Sequence, residues 1–520
     1  MKLFRRILRI VLWLLAALVA GSLLSLYAYG RFAERARGEE GHALAPVAGQ
    51  TAIDRWVEPL LAAHGQRSGL ALQMDNVDAF AARALSARAA GRSLDLMYYL
   101  WHDDLSGRLL LAEVLAAAER GVRVRMLLDD INAHGKDAVL RVLDTHPRVE
   151  VRMFNPSRNR GTGIRRAVEL LTRAISLNRR MHNKAWIADN RIALVGGRNV
   201  GDEYFDAAAG VNFLDADLAL VGPVVADTSA IFDRFWNSEM VIPIAALAKR
   251  PGRDLDDLRA RLAHAAASDG GRAFLDHVAA RNGVDDALQG AGGVCWSDQV
   301  AVVSDPADKA TDNDPAGWLI TPVVAAIERV QRDLRLMSPY FVPGEEGLAW
   351  LLRLRERGVR IAVATNSLAA TDVVAVHGGY APYRRALLQA GVELYELMAT
   401  GPVDAGVFGS SGASLHTKAF TVDDALGFVG SLNFDPRSIN LNTEMGVLFA
   451  CPDLVAALQA AFDGKIDAGA SYRLWLDGDS LRWEDRRSQP PRQWTREPEA
   501  SAWRRGLARV VSWLPIESQL

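Results

Sequence analysis

The sequence predicts an α/β protein built from two related halves and held by one apolar helix at its N-terminus. Three observations predict it. The stretch MHNKAWIADNRIALVGGRN (Met181–Asn199) returns as LHTKAFTVDDALGFVGSLN (Leu415–Asn433), with the shared spacing His-x-Lys-x4-Asp-x6-Gly-(Gly/Ser)-x-Asn. The residues ahead of each copy follow the same strand–helix–strand order. An uncharged run, Ile10–Gly30, follows a basic start.

Taken in order, residues 1–9 carry Lys2, Arg5, Arg6 and Arg9 and read as a basic cytoplasmic N-terminus. Residues 10–30 read as a transmembrane anchor, since about twenty residues at 1.5 Å each cross a hydrocarbon core of roughly 30 Å. The run exceeds the roughly 7–15 residues of a signal-peptide core, so an uncleaved anchor is expected. The basic flank then places the rest on the periplasmic side of a bacterial inner membrane, although Arg31, Arg35 and Arg37 act against that orientation. Residues 31–51 form a polar linker.

Residues 52–245 make the first lobe: SLDLMYYL as strand, GRLLLAEVLAAAERG as a helix ending at Gly121, then VRVRMLLDD and VEVRMFNP as strands. Residues 246–290 read as a helical connector, rich in Ala, Asp and Arg, without chemistry. Residues 291–470 repeat the first order with DLRLMSPYFV, GLAWLLRLRERG ending at Gly358, VRIAVATNS and VELYELMA. An internal duplication explains this. Residues 471–520 form a Trp- and Arg-rich extension broken at Pro490-Pro491.

The 520 residues are half apolar and carry a net charge of −2, which argues against a general nucleic-acid binder. Cys295 and Cys451 supply neither a disulfide framework nor a metal-ligand spacing and read as buried small hydrophobes. Seven lysines stand against 53 arginines, so each lysine is informative, and Lys184 and Lys418 lie in the repeated motif.

Alternation along a strand puts His182 and Lys184 on one face, and His416 and Lys418 likewise. Tight turns at Asp189-Asn190 and Asp423-Asp424 return the chain, bringing Asn199 and Asn433 back towards the His/Lys end. Each copy thus gathers an imidazole, an ammonium, a carboxamide and glycine-rich backbone, which suits a tetrahedral phosphate. A metal site fails because ammonium is a poor ligand and no carboxylate or cysteine has ligand spacing. No metal and no cofactor are expected. The isolated His134-Gly135-Lys136 lacks the rest of the pattern and reads as a loop.

Both stretches resemble the HKD signature of the phospholipase D superfamily. Together with GGRNVGDEYF, DADLALVGPVV, GSLNFDPRSINLNTEMG and the terminal LPIESQL, they are similar to bacterial cardiolipin synthases of the C type. The resemblance implies two pseudo-twofold-related lobes, each a mixed β-sheet flanked by helices, sharing one cleft. It implies a phosphatidyltransferase in which His182 is the nucleophile, forming a phosphohistidine, and His416 the acid/base. Lys184, Lys418, Asn199 and Asn433, with Gly197 and Ser431, would hold the phosphate oxygens. Gly197 stands where many members have Ser. Asp215 and Glu444 are the candidates for orienting the two rings, with Asp217 competing for the first role. Asp189 and Asp423 complete the motif, and the family suggests structural pairing near the lobe interface for them.

The motif fixes phosphodiester chemistry and leaves the substrate open. The anchor, the lack of basic excess and the segment SRNRGTGIRRAVELLTRAISLNRR, with seven arginines and one glutamate among apolar residues, favour lipid at a bilayer surface. A second such segment holds Trp503, Leu507, Val510, Val511, Trp513 and Leu514 with Arg504, Arg505 and Arg509. The expected partners are membrane phospholipids: phosphatidylglycerol as acceptor, with phosphatidylethanolamine or a second phosphatidylglycerol as donor. Hydrolysis to phosphatidic acid, a membrane-tethered nuclease and a silent scaffold stay open as alternatives.

Overall fold

The computed structural model describes residues 2–133, 135–161, 163–249, 254–280, 293–309, 314–399 and 412–520. His134 and parts of the connector, residues 250–253 and 281–290, lie outside these. In chain order the strands are β1 (Ser68–Gln73), β2 (Ser93–Tyr98), β3 (Arg123–Asp129), β4 (Val149–Phe154), β5 (Ala185–Ala188), β6 (Ile192–Gly196), β7 (Val211–Leu214), β8 (Asp217–Val221), β9 (Val241–Pro243) and β10 (Cys295–Ser297). They continue with β11 (Val300–Ser304), β12 (Asp333–Met337), β13 (Arg360–Asn366), β14 (Glu393–Leu397), β15 (Gly412–Leu415), β16 (Ala419–Val422), β17 (Leu426–Gly430), β18 (Met445–Phe449), β19 (Ser471–Asp477), β20 (Ser480–Asp485) and β21 (Arg492–Trp494).

Two mixed sheets carry the molecule, one ordered β10-β1-β8-β6-β5-β2-β3-β4-β9 and the other β11-β18-β17-β16-β12-β13-β14-β19-β20-β21. The run β8-β6-β5-β2-β3-β4 of the first matches β18-β17-β16-β12-β13-β14 of the second, with the same parallel and antiparallel pairings. These are the two lobes read from the repeat. Their central strands are buried on both faces, as apolar runs such as RIAVATN require. The crossover helices Leu105–Glu119 and Gly344–Glu356 both stop ahead of a left-handed glycine, Gly121 at φ 99° and Gly358 at φ 86°. One apolar cluster joins the lobes, placing Val195, Leu218 and Phe232 with Ala419, Val429 and Val447.

Three boundaries differ from the sequence reading. Strand β10 lies beyond the connector yet pairs with β1 of the first sheet, covering an edge that would otherwise be open, so the second lobe does not begin at residue 291. Strands β19 to β21 continue the second sheet from β14, so residues 471–520 are not a separate piece. The N-terminal helix runs Lys2–Ala36, past the predicted span at both ends, because nothing in the basic flank breaks it.

The cysteine reading is also corrected. Cys295 and Cys451 form a disulfide with Cα atoms 6.6 Å apart across a separation of 156 residues. Spacing in sequence could not reveal this, because it depends on β10 crossing to the first sheet next to the β11–β18 edge of the second.

Candidate active site

The repeated hairpins set the site. In each, a turn with left-handed aspartate, Asp189 at φ 54° and Asp423 at φ 52°, links β5 to β6 and β16 to β17. Asp189 accepts backbone N–H bonds from Gly91, Arg92 and Ser93, and Asp423 accepts them from Gln331, Arg332 and Asp333. These carboxylates fasten the starts of β2 and β12 within their own lobes. They sit at the turn end of the hairpins, with β5 and β16 between them and the motif histidines. The expectation that they belong with the catalytic groups, or pair near the lobe interface, is corrected by this geometry.

At the other end of the hairpins the lobes exchange partners. His182 donates its backbone N–H to Thr443 O at 2.8 Å, and its Nδ1 lies 2.8 Å from Glu444 Oε2. His416 donates its N–H to Leu214 O at 2.8 Å, and its Nδ1 lies 2.5 Å from Asp215 Oδ2. Two successive residues of one lobe thus hold backbone and ring of the other lobe's histidine. The parallel pair β7–β15 and the Met181–Thr443 bridge carry this crossing. With Nδ1 engaged, Nε2 of each ring is the atom left for chemistry. Asp217 instead pairs with the buried Arg83 at 2.8 Å, so Asp215 is the carboxylate at the ring.

Lys184 and Lys418 each donate Nζ to the carbonyl of their own histidine two residues earlier, and both are buried. Lys418 Nζ also lies 2.9 Å from His416 Nδ1. Burial lowers the Lys184 ammonium to about 7 and that of Lys418 to about 8, against the nearby carboxylates.

The half-sites are not equivalent. A Cβ on Gly197 would meet Asp215 Oδ1 at 2.3 Å, so the Asp215 carboxylate occupies the space a serine would need. The Gly197 N–H is engaged by Ala216 O, which removes it as a phosphate donor and corrects that expectation. Ser431 donates Oγ to Glu444 Oε2 at 2.5 Å and receives the Met445 N–H, so it positions Glu444. Asn199 accepts from Leu100 N and donates to Tyr204 Oη, while Asn433 is buried.

The charges follow this asymmetry. Burial alone would raise the Asp215 carboxyl, but His416 and Lys418 hold it below the usual range. Burial raises Glu444 to about 7, with Lys184 and Ser431 only partly opposing. Burial and then both lysines depress His182 far below an ordinary imidazole. His416 is also lowered, by burial and then Lys418, but Asp215 works against them. Of the two rings His182 is depressed further, and Asp215 favours the charged form of His416.

The sequence reading missed the aromatic walls and the outer supports. Tyr99 meets His182 edge-on at 5.0 Å, and Phe213 stacks on His416 at 5.0 Å. Asp305 accepts the Glu444 N–H and pairs with Lys309 at 2.9 Å. Tyr99 follows the end of β2, but no signal marked Phe213 or Asp305.

A profile of the family described as cardiolipin synthase, PLD-like domain, matches residues 86–236 and 323–466. Cardiolipin synthase C of Escherichia coli is 40% identical over 468 residues, covering 89% of this chain and 98% of that protein. An uncharacterized protein of Helicobacter pylori is 30% identical over 432 residues, covering 81% of this chain and 83% of its own. The crystal structure of phosphatidylserine synthase from Haemophilus influenzae shares the fold, with a TM-score of 0.57 at 14% identity over 90% of this chain and 99% of that one.

Proposed function

The chain belongs to the cardiolipin synthase family of phospholipase D-like proteins, and from that premise we propose that it transfers a phosphatidyl group to phosphatidylglycerol through a phosphohistidine on His182. It is an enzyme, a phosphatidyltransferase of phospholipase D type. The observation that carries the finer reading is the unequal pair of crossed imidazole–carboxylate contacts. Nε2 of neutral His182 attacks phosphorus, and the bond to the leaving alcohol breaks as His416 gives that oxygen a proton. His416 then takes the proton from the glycerol hydroxyl of phosphatidylglycerol, whose oxygen attacks phosphorus and frees His182. Lys184 and Lys418 balance the charge that builds on the phosphoryl oxygens.

The lipid surface reading draws support from exposed apolar groups. The helix Lys2–Ala36 is long and apolar enough to cross a membrane, and from Gly21 onward it leans on the helix Ile164–Thr172. Around it Ile164, Leu171 and Ile175 are exposed at 81%, 64% and 84%, and on the C-terminal helix Ala502–Val511 and just beyond it Trp503 and Trp513 stand out at 75% and 72%. Asn178 and Gln519 join these two patches by a 2.7 Å hydrogen bond. Several arginines leave the predicted lipid-facing set. Arg160 pairs with Asp130, and Arg173 and Arg180 are buried against Glu169 and Asp129. Arg504 donates to Leu368 O of the second lobe, and Arg505 donates to Ala500 O just ahead of its own helix.

A periplasmic catalytic part fits both the basic N-terminal flank and the Cys295–Cys451 disulfide, since disulfides persist in oxidising compartments. Lipid extraction from bacterial cells lacking their own cardiolipin synthases tests the reading. Cardiolipin should accumulate with the parent protein and not with His182→Ala. Phosphatidic acid alone would instead make the protein a hydrolase.

A further inference from the structure

We propose that the second lobe holds one fatty-acyl chain of the substrate phospholipid in an apolar groove beside the His416 half-site. The inference rests on the phosphatidyl-transfer reading and adds to it how the lipid tail is recognised. The cavity measures about 590 Å³ and is lined by Trp318, Val324, Leu336, Phe341, Trp350 and Phe434, among others. Its charged neighbours, Glu345, Glu346 and Arg353, are solvent-exposed at the rim, while Leu336 and Phe341 are buried. A wall of this kind leaves headgroup oxygens and ammonium without partners and suits an alkyl chain.

Its position relative to the reacting atoms names the occupant. Tyr340 and Phe341 are consecutive on the loop after β12. Tyr340 donates its hydroxyl to Asp372, whose charge acts on His416 and Lys418, and Phe341 lines the groove. The second motif ends at Asn433, and the next residue, Phe434, is another groove wall that accepts the Val342 N–H at 2.7 Å. The helix Pro436–Asn440 completes that side and leads directly to Glu444. At the rim Gly344 lies against Glu517, in the tail that follows the exposed Trp503 and Trp513. The groove therefore shares two chain segments with the catalytic half-site and borders the tail that continues from an apolar, outward-facing helix. A phospholipid drawn from a bilayer has its tail in that place when its phosphate is at His416.

The test uses the full-length protein in mixed micelles, with dihexanoyl and dipalmitoyl phosphatidylglycerol as alternative substrates. Val324→Trp narrows the groove without touching the catalytic groups. The ratio of kcat/KM for the long-chain over the short-chain lipid should fall by about tenfold, the scale at which a hydrophobic pocket discriminates, with short-chain turnover retained. An unchanged ratio in a variant of parental Tm overturns the groove. A parent protein inactive on both lipids, whether or not phosphatidylethanolamine is added as donor, sinks the phosphatidyl-transfer reading instead. The parent protein provides an independent check with a phospholipid bearing a diazirine at the end of one acyl chain. Cross-links should fall within residues 315–351 or 434–440. Labelling confined to the exposed apolar helices, or to a second copy of the chain, overturns the proposal.

Discussion

At Gly197 and Ser431 the two motif copies differ by one hydroxymethyl group, and the carboxylate beside each is seated differently. Asp215 is one methylene shorter than Glu444 and fills the space beside Gly197, while Glu444 reaches its ring with Ser431 bound to it. Gly197→Ser forces a side chain onto the Asp215 carboxylate. Thermal unfolding should show a loss of about 1–3 kcal/mol, typical of overpacking, and phosphatidyl transfer should fall with it. Wild-type Tm and activity would contradict the close approach. The rings also predict a pH profile. In the proposed mechanism His416 carries its proton when lipid binds, and burial and Lys418 lower its pKa, so kcat/KM should fall as pH rises through a value below the ordinary imidazole range. Asp215→Asn removes the group that favours the charged ring, and the fall should move to still lower pH. A shift to higher pH would contradict the His416 assignment.

Among the elements, the hairpins and crossover helices were legible because their signals are local. The left-handed turns at Asp189 and Asp423 and the glycines at Gly121 and Gly358 mark where each element ends. The crossings were not legible. Which carboxylate faces which ring depends on β7 pairing with β15, and the disulfide depends on β10 joining the first sheet. Neither leaves a periodic trace. The arginines before His182 were legible only as composition, and packing divides them: Arg173 and Arg180 are buried in ion pairs, whereas Arg165 makes no hydrogen bond or ion pair among the described residues. Arg165→Gln should weaken binding of an anchor-deleted protein to anionic vesicles more at low salt than at high salt. Arg173→Gln should lower Tm through loss of the Glu169 contact. Equal vesicle affinity of Arg165→Gln and parent would remove the helix Ile164–Thr172 from the lipid surface. Reducing the Cys295–Cys451 bond should cost about 2–4 kcal/mol of stability, read as a lower Tm that Cys295→Ala reproduces without reductant.

On the scale of the whole molecule, neither lobe owns a complete half-site. Each imidazole is held by the other lobe through both its backbone and its ring, so the duplication works as one site with two unlike faces. Separately expressed lobes are therefore expected to be inactive. The central claim is that the Glu444 side of this shared site holds the nucleophile. It is tested most directly by trapping the covalent intermediate with phospholipid radiolabelled in the phosphate. His182→Ala should lose turnover by roughly 10⁴-fold or more and take up no label. His416→Ala should retain an acid-labile, alkali-stable adduct on the peptide containing His182. Label on the peptide containing His416, trapped in His182→Ala, would contradict the account.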